Sequence, residues 1–439
     1  MSHPPVPLSV LDLSPVSSGS TPADALRRTL DLAQAAERAG YQRYWLAEHH
    51  LNPGVAGASP AVVAALVAQA TTAIRVGSAA VILGNYSPLQ VAEQWGTIAA
   101  LHPGRVDLGI GRSGIGRSGG AGRPGATPPG RADAGGVAPA EQSPPAPAGA
   151  PVTPVPGDAG RWQVVDGVVI PPVRPTAYDP ARLALQARLL GRAPGDGDGF
   201  GADVRDILAF FAGTYRAPEG RPVAVTPAEG TDVQLWVHGS SAGPSAQLAG
   251  ELGLPYGANY HVAPATLLES VAAYRAAFTP SADFPEPYVI VSVDVVVGAD
   301  DQAARALAAG YGPWVQSIRS GHGAIPYPDV HEARAIQAGW APEDHAAVRD
   351  RTETRLVGSP QTVVTRLAAL QRLTGADELL VTTVTHRHED RVRSYELLAE
   401  AWAAQATPAV AHVEHQHADA LDAAATAATT ELLRAAARS

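Results

Sequence analysis

The residues of this 439-residue chain best suited to chemistry are a few histidines, one carboxylate, one arginine and a run of hydroxyls. Glu48-His49-His50 sets a carboxylate beside two imidazoles in consecutive positions. An imidazole titrates near neutrality, so one histidine aimed into a cavity is suited to acid–base work. Adjacent side chains at a strand end diverge, so the triplet is not expected to chelate a metal, and no metal site is expected elsewhere. Glu48 and His50 are expected to contact substrate or to hold loops by hydrogen bonds. Residues 239–245 (GSSAGPS) form a small, hydroxyl-rich turn that runs into a helical segment. Free amides at a helix start, the helix dipole and the hydroxyls of Ser241 and Ser245 make an anion site suited to phosphate. The same residues also read as an ordinary helix cap. Arg112 can supply the countercharge in a bidentate pair. Asn85, Tyr86, His261 and His386 are further polar residues in this set. His386 and His388 alternate along an extension of the last strand and can share one face, or stand as exposed loop residues. His412, His415 and His417 read as a solvated face.

These residues need elements to position them, and the chain alternates strand with helix. Strands are predicted over 7–13, 44–47, 74–83, 105–111, 234–238, 255–260, 288–297 and 377–384. Helices are predicted over 25–39, from Ser59-Pro60 to 71, from Ser87-Pro88 to 101, and over 203–215, 246–252, 263–277, 301–309, 360–373 and 391–404. Thr21-Pro22, Ser59-Pro60 and Ser87-Pro88 each pair a cap residue with a proline suited to the first helical position. Residues 311–345 read as less regular. Strands alternating with helices imply a parallel sheet, and eight of them imply closure into a (β/α)8 TIM barrel. A doubly wound open sheet is the alternative, but no G-x-G-x-x-G lies between the first strand and the first helix. In a barrel the strand C-terminal ends carry the site. Glu48, His49, His50, Asn85, Tyr86, Arg112, Ser241, His261 and His386 all fall at or just beyond such ends.

Composition bounds the rest. The chain is 46% hydrophobic and 17% charged, enough for a large core, and one barrel domain over 6–404 accommodates it. Its net charge of −10 offers no basic face for nucleic acid. With no cysteine, disulfides, thiolate metal sites and cysteine nucleophiles are excluded. No uninterrupted apolar run reaches membrane-spanning length and no leader pattern is visible, so a cytoplasmic protein is expected. Residues 113–160, after the fourth strand, are dense in the chain's 44 glycines and 39 prolines. They read as a mobile Gly/Pro-rich insertion that cannot bury enough apolar surface to offset its ordering entropy. Residues 406–439 form an Ala-rich tail.

Five segments in order carry a resemblance: YWLAEHHLNPG from Tyr44, IRVGSAAVIL, SPLQVAEQWGTIAALHPGRVDLGIGR, GSSAGPSAQLAGELGLPYGANYH, and LVGSPQTVVTRLAALQRLTGADELLVTTVTHRHEDRVRSYELLAEAW. Over 6–112 and 200–404 the chain resembles the bacterial luciferase-like flavin-dependent monooxygenases, in particular the alkanal monooxygenase-like oxidoreductases. The resemblance implies a barrel, usually a homodimer. It implies FMN, reduced by a separate reductase, and O2 used to oxidise an aldehyde, ketone or aromatic, polyketide-like substrate. It makes His49 the active-site histidine and Arg112, Ser241 and Ser245 the phosphate-binding residues. It makes Ala79-Ala80 a non-prolyl cis peptide beside the flavin ring. The chain departs from its relatives at Gly84-Asn85-Tyr86, where Pro-Asn-His is common, and at residues 111–115 (GRSGI), where Gly-Arg-Ala-Pro-Gly is common. Gly111 stands where the luciferases carry a cysteine. Two rival readings remain: a deazaflavin-dependent dehydrogenase of the same superfamily, and a flavin-less barrel with a binding role.

Overall fold

The computed structural model describes residues 5–112, 161–174, 179–192 and 199–405. The expectations for the 113–160 insertion and the 406–439 tail lie outside the described residues.

The chain runs β1 (Leu8–Asp12), α1 (Pro22–Arg38), β2 (Arg43–Leu46), α2 (Pro60–Ala70), β3 (Arg75–Ser78), β4 (Val81–Ile82), α3 (Pro88–Leu101) and β5 (Val106–Gly111). Then come β6 (Gln163–Val165), β7 (Val168–Ile170), α4 (Pro180–Leu189), α5 (Phe200–Phe211), β8 (Gln234–Gly239), α6 (Pro244–Glu251), β9 (Tyr256–Asn259) and α7 (Leu267–Ala277). The last part holds β10 (Val289–Val297), α8 (Asp301–Leu307), α9 (Tyr311–Arg319), α10 (Val330–Ala338), α11 (Pro342–Thr354), β11 (Leu356–Gly358), α12 (Pro360–Thr374), β12 (Glu378–Thr382) and α13 (His388–Ala404).

The caps read from the sequence hold their helices in place. Thr21 and Asp24 form a reciprocal capping box at α1, with Pro22 in the first turn. Ser87 and Gln90 do the same at α3. Parallel pairing runs β1-β2-β3-β5-β8-β9-β10-β12, and β12 pairs back to β1, closing an eight-stranded barrel. The open-sheet alternative is therefore excluded.

Strand parity sorts the core into two layers. Outward residues such as Val10, Tyr44, Val237, Val291 and Val381 pack into the barrel–helix layer. Inward residues Leu11, Trp45, Trp236, Ile290 and Leu380 fill the barrel itself. All nine residues of β10 are buried, as expected of a parallel strand covered on both faces. The floor of the barrel is an ionic plug. Arg43 bonds Glu378 and, at 3.1 Å, Asp107; Arg75 reaches Asp107 at 2.6 Å; the Tyr288 hydroxyl donates to Glu378 at 3.0 Å. With the floor plugged and the middle filled by Trp45 and Trp236, the barrel opens toward the strand C-terminal ends.

Four expectations need correction. The continuous strand over 74–83 is broken at Ala79-Ala80, whose peptide is cis, into β3 and β4. Residues 311–345 are not irregular: α9, α10 and the start of α11 lie there. Asp329 with Glu332, and Pro342, start the last two of these helices, but Gly321, Gly323, Pro326 and Pro328 between α9 and α10 hide the periodicity. Residues 163–189, passed over with the insertion, contain the β6–β7 hairpin and α4. Finally, His388 does not extend the last strand; it opens α13 and its Nε2 lies 2.7 Å from Asp31. Among the described residues no helix is long and apolar enough to cross a membrane.

Candidate functional site

A cavity of about 550 Å3 opens at the strand C-terminal ends. Small-molecule sites run from roughly 300 to 1,000 Å3. Of the residues singled out from the sequence, Glu48, His49, Ala79, Ala80, Arg112, Ser241, Ser245 and His261 line it. His50, Asn85 and Tyr86 lie behind the wall, and His386 stands apart.

Glu48 organises one side. Its carboxylate, 5% exposed, accepts from His50 Nε2 at 2.7 Å, from Asn85 Nδ2 at 2.7 Å and from the backbone amide of Ile82 at 2.9 Å. The Tyr86 hydroxyl pKa is raised by burial first and by the Glu48 carboxylate second. One buried carboxylate thus fastens the end of β2 to β4 and to the turn that follows, and so fixes the wall at Ala79-Ala80.

His49 is held through its backbone, whose amide donates to Gly57 O at 2.8 Å. Its side-chain Nδ1 is buried with no partner. Burial is the main cause that brings the ring's pKa down to about 4; Glu48 opposes the shift and His50 adds to it. At neutral pH that shift leaves His49 a neutral imidazole, and the residue lines the cavity while its Nδ1 is buried.

Two more histidines share the wall. His261 Nδ1 lies 2.6 Å from Ser292 Oγ, and burial, then the Arg351 charge, then His49 hold the ring at about 3. His238, at the end of β8, is held at about 3 by burial and then by His261. Its ring fits because Gly109 and Gly257 flank it: a Cβ would stand 2.7 Å from Nε2 at Gly109 and 2.0 Å from Nδ1 at Gly257. His238 escaped the sequence reading. The signal available was its strand parity with Trp236, which aims it inward.

The turn between β8 and α6 has the features of an anion cradle. Gly243 caps α6 without a side-chain bond, and Pro244 takes the first helical position. Among the described residues the amides of Ser241, Ala242, Gly243 and Ser245 donate to no protein acceptor. Arg112, at the end of neighbouring β5, makes no ion pair or hydrogen bond among the described residues. The free amides, two hydroxyls and a guanidinium together favour a phosphate over a simple cap.

Further round the barrel, Asp294 on β10 lines the cavity, 6% exposed, with Trp314 of α9 and Arg351 of α11. A lone carboxylate in the apolar run VIVSVDVVV was the signal for Asp294. Arg351 sits in a helix rich in charges, where nothing marked it. From α4, Arg182 lines the cavity and bonds Gly321 O at 2.9 Å and Asn52 Oδ1 at 3.0 Å. His386 instead faces the β1–α1 loop, with Nε2 3.1 Å from Ser18 Oγ. Among the described residues no group of three or more His, Asp or Glu side chains is placed to hold a metal ion.

A closed parallel barrel with such a mouth defines an α/β-barrel protein with a small-molecule site. The family model described as luciferase-like monooxygenase matches residues 6–132 and 206–378, and the chain belongs to that family. It is 34% identical over 398 residues to the uncharacterized protein YvbT of Bacillus subtilis, covering 90% of this chain and 96% of that one. It is 31% identical to a luciferase-like monooxygenase of Escherichia coli, covering 90% and 97%. Among solved structures, apo-MsnO8 is 30% identical with a TM-score of 0.68, covering 93% of this chain and all of that one. Two more distant structures share the fold. One is the FMN-bound oxygenating constituent of a diketocamphane monooxygenase from Pseudomonas putida (TM-score 0.57, 19% identity, covering 91% and 98%). The other is an F420-dependent secondary alcohol dehydrogenase (TM-score 0.54, 14% identity, covering 91% and 99%).

Proposed function

We propose that the protein is an FMN-dependent monooxygenase that uses reduced FMN and O2 to oxidise a small organic substrate. The observation that carries this reading is one cavity lined by an anion cradle on one side and by a neutral histidine on another. The residues present fit the cofactor: the unpaired amides and hydroxyls of Ser241 and Ser245, with Arg112, suit its phosphate, and the small side chains of Ala79 and Ala80 line the cavity where a ring needs room. Reduced flavin would supply the activation of O2.

The protein's own part is to bind, orient and exclude water. Ser241, Ser245 and Arg112 would hold the phosphate. Glu48 keeps the wall at Ala79-Ala80 in register through Ile82 and Asn85. His49, neutral at working pH, accepts or returns a proton at Nε2, the ring nitrogen that is not buried. Trp314 and the α9–α10 connection line the cavity, and desolvation there strengthens each polar contact. A separate reductase as transient partner, a homodimer and a cytoplasmic location complete the proposal.

The test is turnover of aldehydes, ketones and aromatic compounds with an FMN reductase. Product that needs both FMN and O2 supports the reading. Anaerobic product with the deazaflavin F420 would replace it with the dehydrogenase reading. No binding of either would leave a flavin-less barrel.

A further inference from the structure

The cavity has a second polar end that the cofactor reading does not use. It lies two barrel strands beyond the phosphate turn in the order β8-β9-β10, and His261 stands between. Arg351 lines it, with Nη2 donating to the Tyr311 hydroxyl at 3.0 Å and lying 3.9 Å from Asp294 Oδ2. The Tyr311 hydroxyl donates in turn to Asp294. Behind them Arg355, 5% exposed, stacks its guanidinium 3.7 Å from the centre of the Tyr311 ring.

The charges here do not balance. Two guanidiniums, Arg351 and Arg355, face one carboxylate, Asp294. The next acid, Asp350, is already committed to Arg319, in a fork of 2.5 and 2.6 Å. Burial raises the Asp294 pKa, against the opposing pull of Arg355 and Arg351, which leaves the end still more positive when Asp294 is protonated. The Arg351 charge also reaches His261, where it is the second cause of that ring's depressed pKa.

The donors do not balance either. Arg351 Nε, Trp314 Nε1 and Thr382 Oγ1 are buried without a partner, and all three residues line this cavity. Buried polar groups are nearly always satisfied, so three orphans on one wall with a surplus positive charge mark a place for an acceptor. A guanidinium edge favours a planar anion that takes two parallel bonds.

We propose that Arg351, Trp314 and Thr382 bind a carboxylate of the substrate, so that the substrate class is small organic acids. The identification of the ligand as substrate rests on the oxygenase reading. The binding site does not. The acid anchors at the β10–β12 side, and the rest of the molecule extends past His261 toward His49. Asp294, on the same wall, tunes the site by holding the Tyr311 hydroxyl and limiting the net charge.

The experiment is calorimetric titration of the full-length protein, free of flavin, with phenylacetate and hexanoate against phenylacetamide and hexanamide. At least one acid is expected to bind tenfold or more tightly than its amide. Arg351→Met should abolish that preference, and Arg351→Lys should keep part of it. Asp294→Asn removes a negative charge without removing a donor and should tighten acid binding several-fold; it also serves if Arg351→Met fails to fold. The double variant Ser241→Ala with Ser245→Ala should leave acid binding unchanged. Equal binding of acids and amides would overturn the proposal. So would an acid preference that survives Arg351→Met or that disappears in the serine double variant. FMN titration of the same samples separates the two readings: acid preference without flavin binding removes the oxygenase and keeps the subsite, and the reverse removes only the subsite.

Discussion

Glu48 Oε1 accepts the side-chain amide of Asn85 at 2.7 Å, which ties the end of β2 to the turn after β4. Glu48 and Asn85 thus explain how Gly84-Asn85-Tyr86 keeps the wall in place although it departs from the Pro-Asn-His common in relatives. The asparagine that matters for the tie is retained, and the same carboxylate acts on the Tyr86 hydroxyl.

Glu48→Gln tests that tie. Glutamine replaces an acceptor with a donor among partners that all donate, so at least one buried donor loses its acceptor. The expected loss of stability is about 1–3 kcal/mol by chemical denaturation. FMN affinity should fall with it, because the Ala79-Ala80 wall loses its brace. Unchanged stability and unchanged affinity together would show that Glu48 braces nothing.

Ser241→Ala with Ser245→Ala tests the phosphate cradle. A hydrogen bond to a charged group contributes about 1.5–3 kcal/mol. The double variant should therefore bind FMN at least roughly tenfold more weakly. Riboflavin, which lacks the phosphate, should bind the variant and the parent alike. Equal losses for both ligands would move the phosphate away from this turn.

His49→Asn tests the proton role. Removing a positioned acid–base group costs on the order of 10^2–10^4 in kcat/KM. Flavin affinity should change little, because His49 is not in the cradle. In the parent protein the acid limb set by His49 should fall near pH 4, where the ring titrates, and not near pH 6.5. A limb near 6.5 that persists in His49→Asn belongs to another group.

His238 makes a pH-dependent contribution to stability. Its pKa is near 6.5 unfolded and about 3 folded, mainly through burial. Below pH 6.5 the unfolded chain therefore takes up a proton that the folded chain refuses. The sign is a loss of stability as pH falls from 6.5 toward 3, of up to about 1.4 kcal/mol per pH unit for one such group. His261 and His49 act in the same direction. Denaturant midpoints measured at pH 7 and pH 5 should differ less in His238→Phe than in the parent.

The barrel was legible because its strands are separated by helices with clear start signals, as at Thr21-Pro22 and Ser87-Pro88. The turn before α6 was legible because small and hydroxyl residues sit directly before a proline-led helix. What escaped depended on long-range packing. His238 is aimed into the barrel only by its parity with Trp236, and it fits only because Gly109 and Gly257, from two other strands, leave room. Arg351 joins Asp294 and Tyr311 across 40 to 57 positions of chain, and no local pattern reports such a meeting. His386 reads like a site residue from its position after the last strand, yet its ring faces Ser18 because the chain has already turned toward α13.

The most direct test of the flavin reading is an anaerobic titration of the full-length protein with reduced FMN, reduced riboflavin and reduced F420. The account predicts saturable binding of reduced FMN at one site per chain, tighter than riboflavin through the Ser241 and Ser245 turn, and little binding of F420. Saturable binding of F420 with none of FMN, or no saturable binding of any of the three, would contradict it.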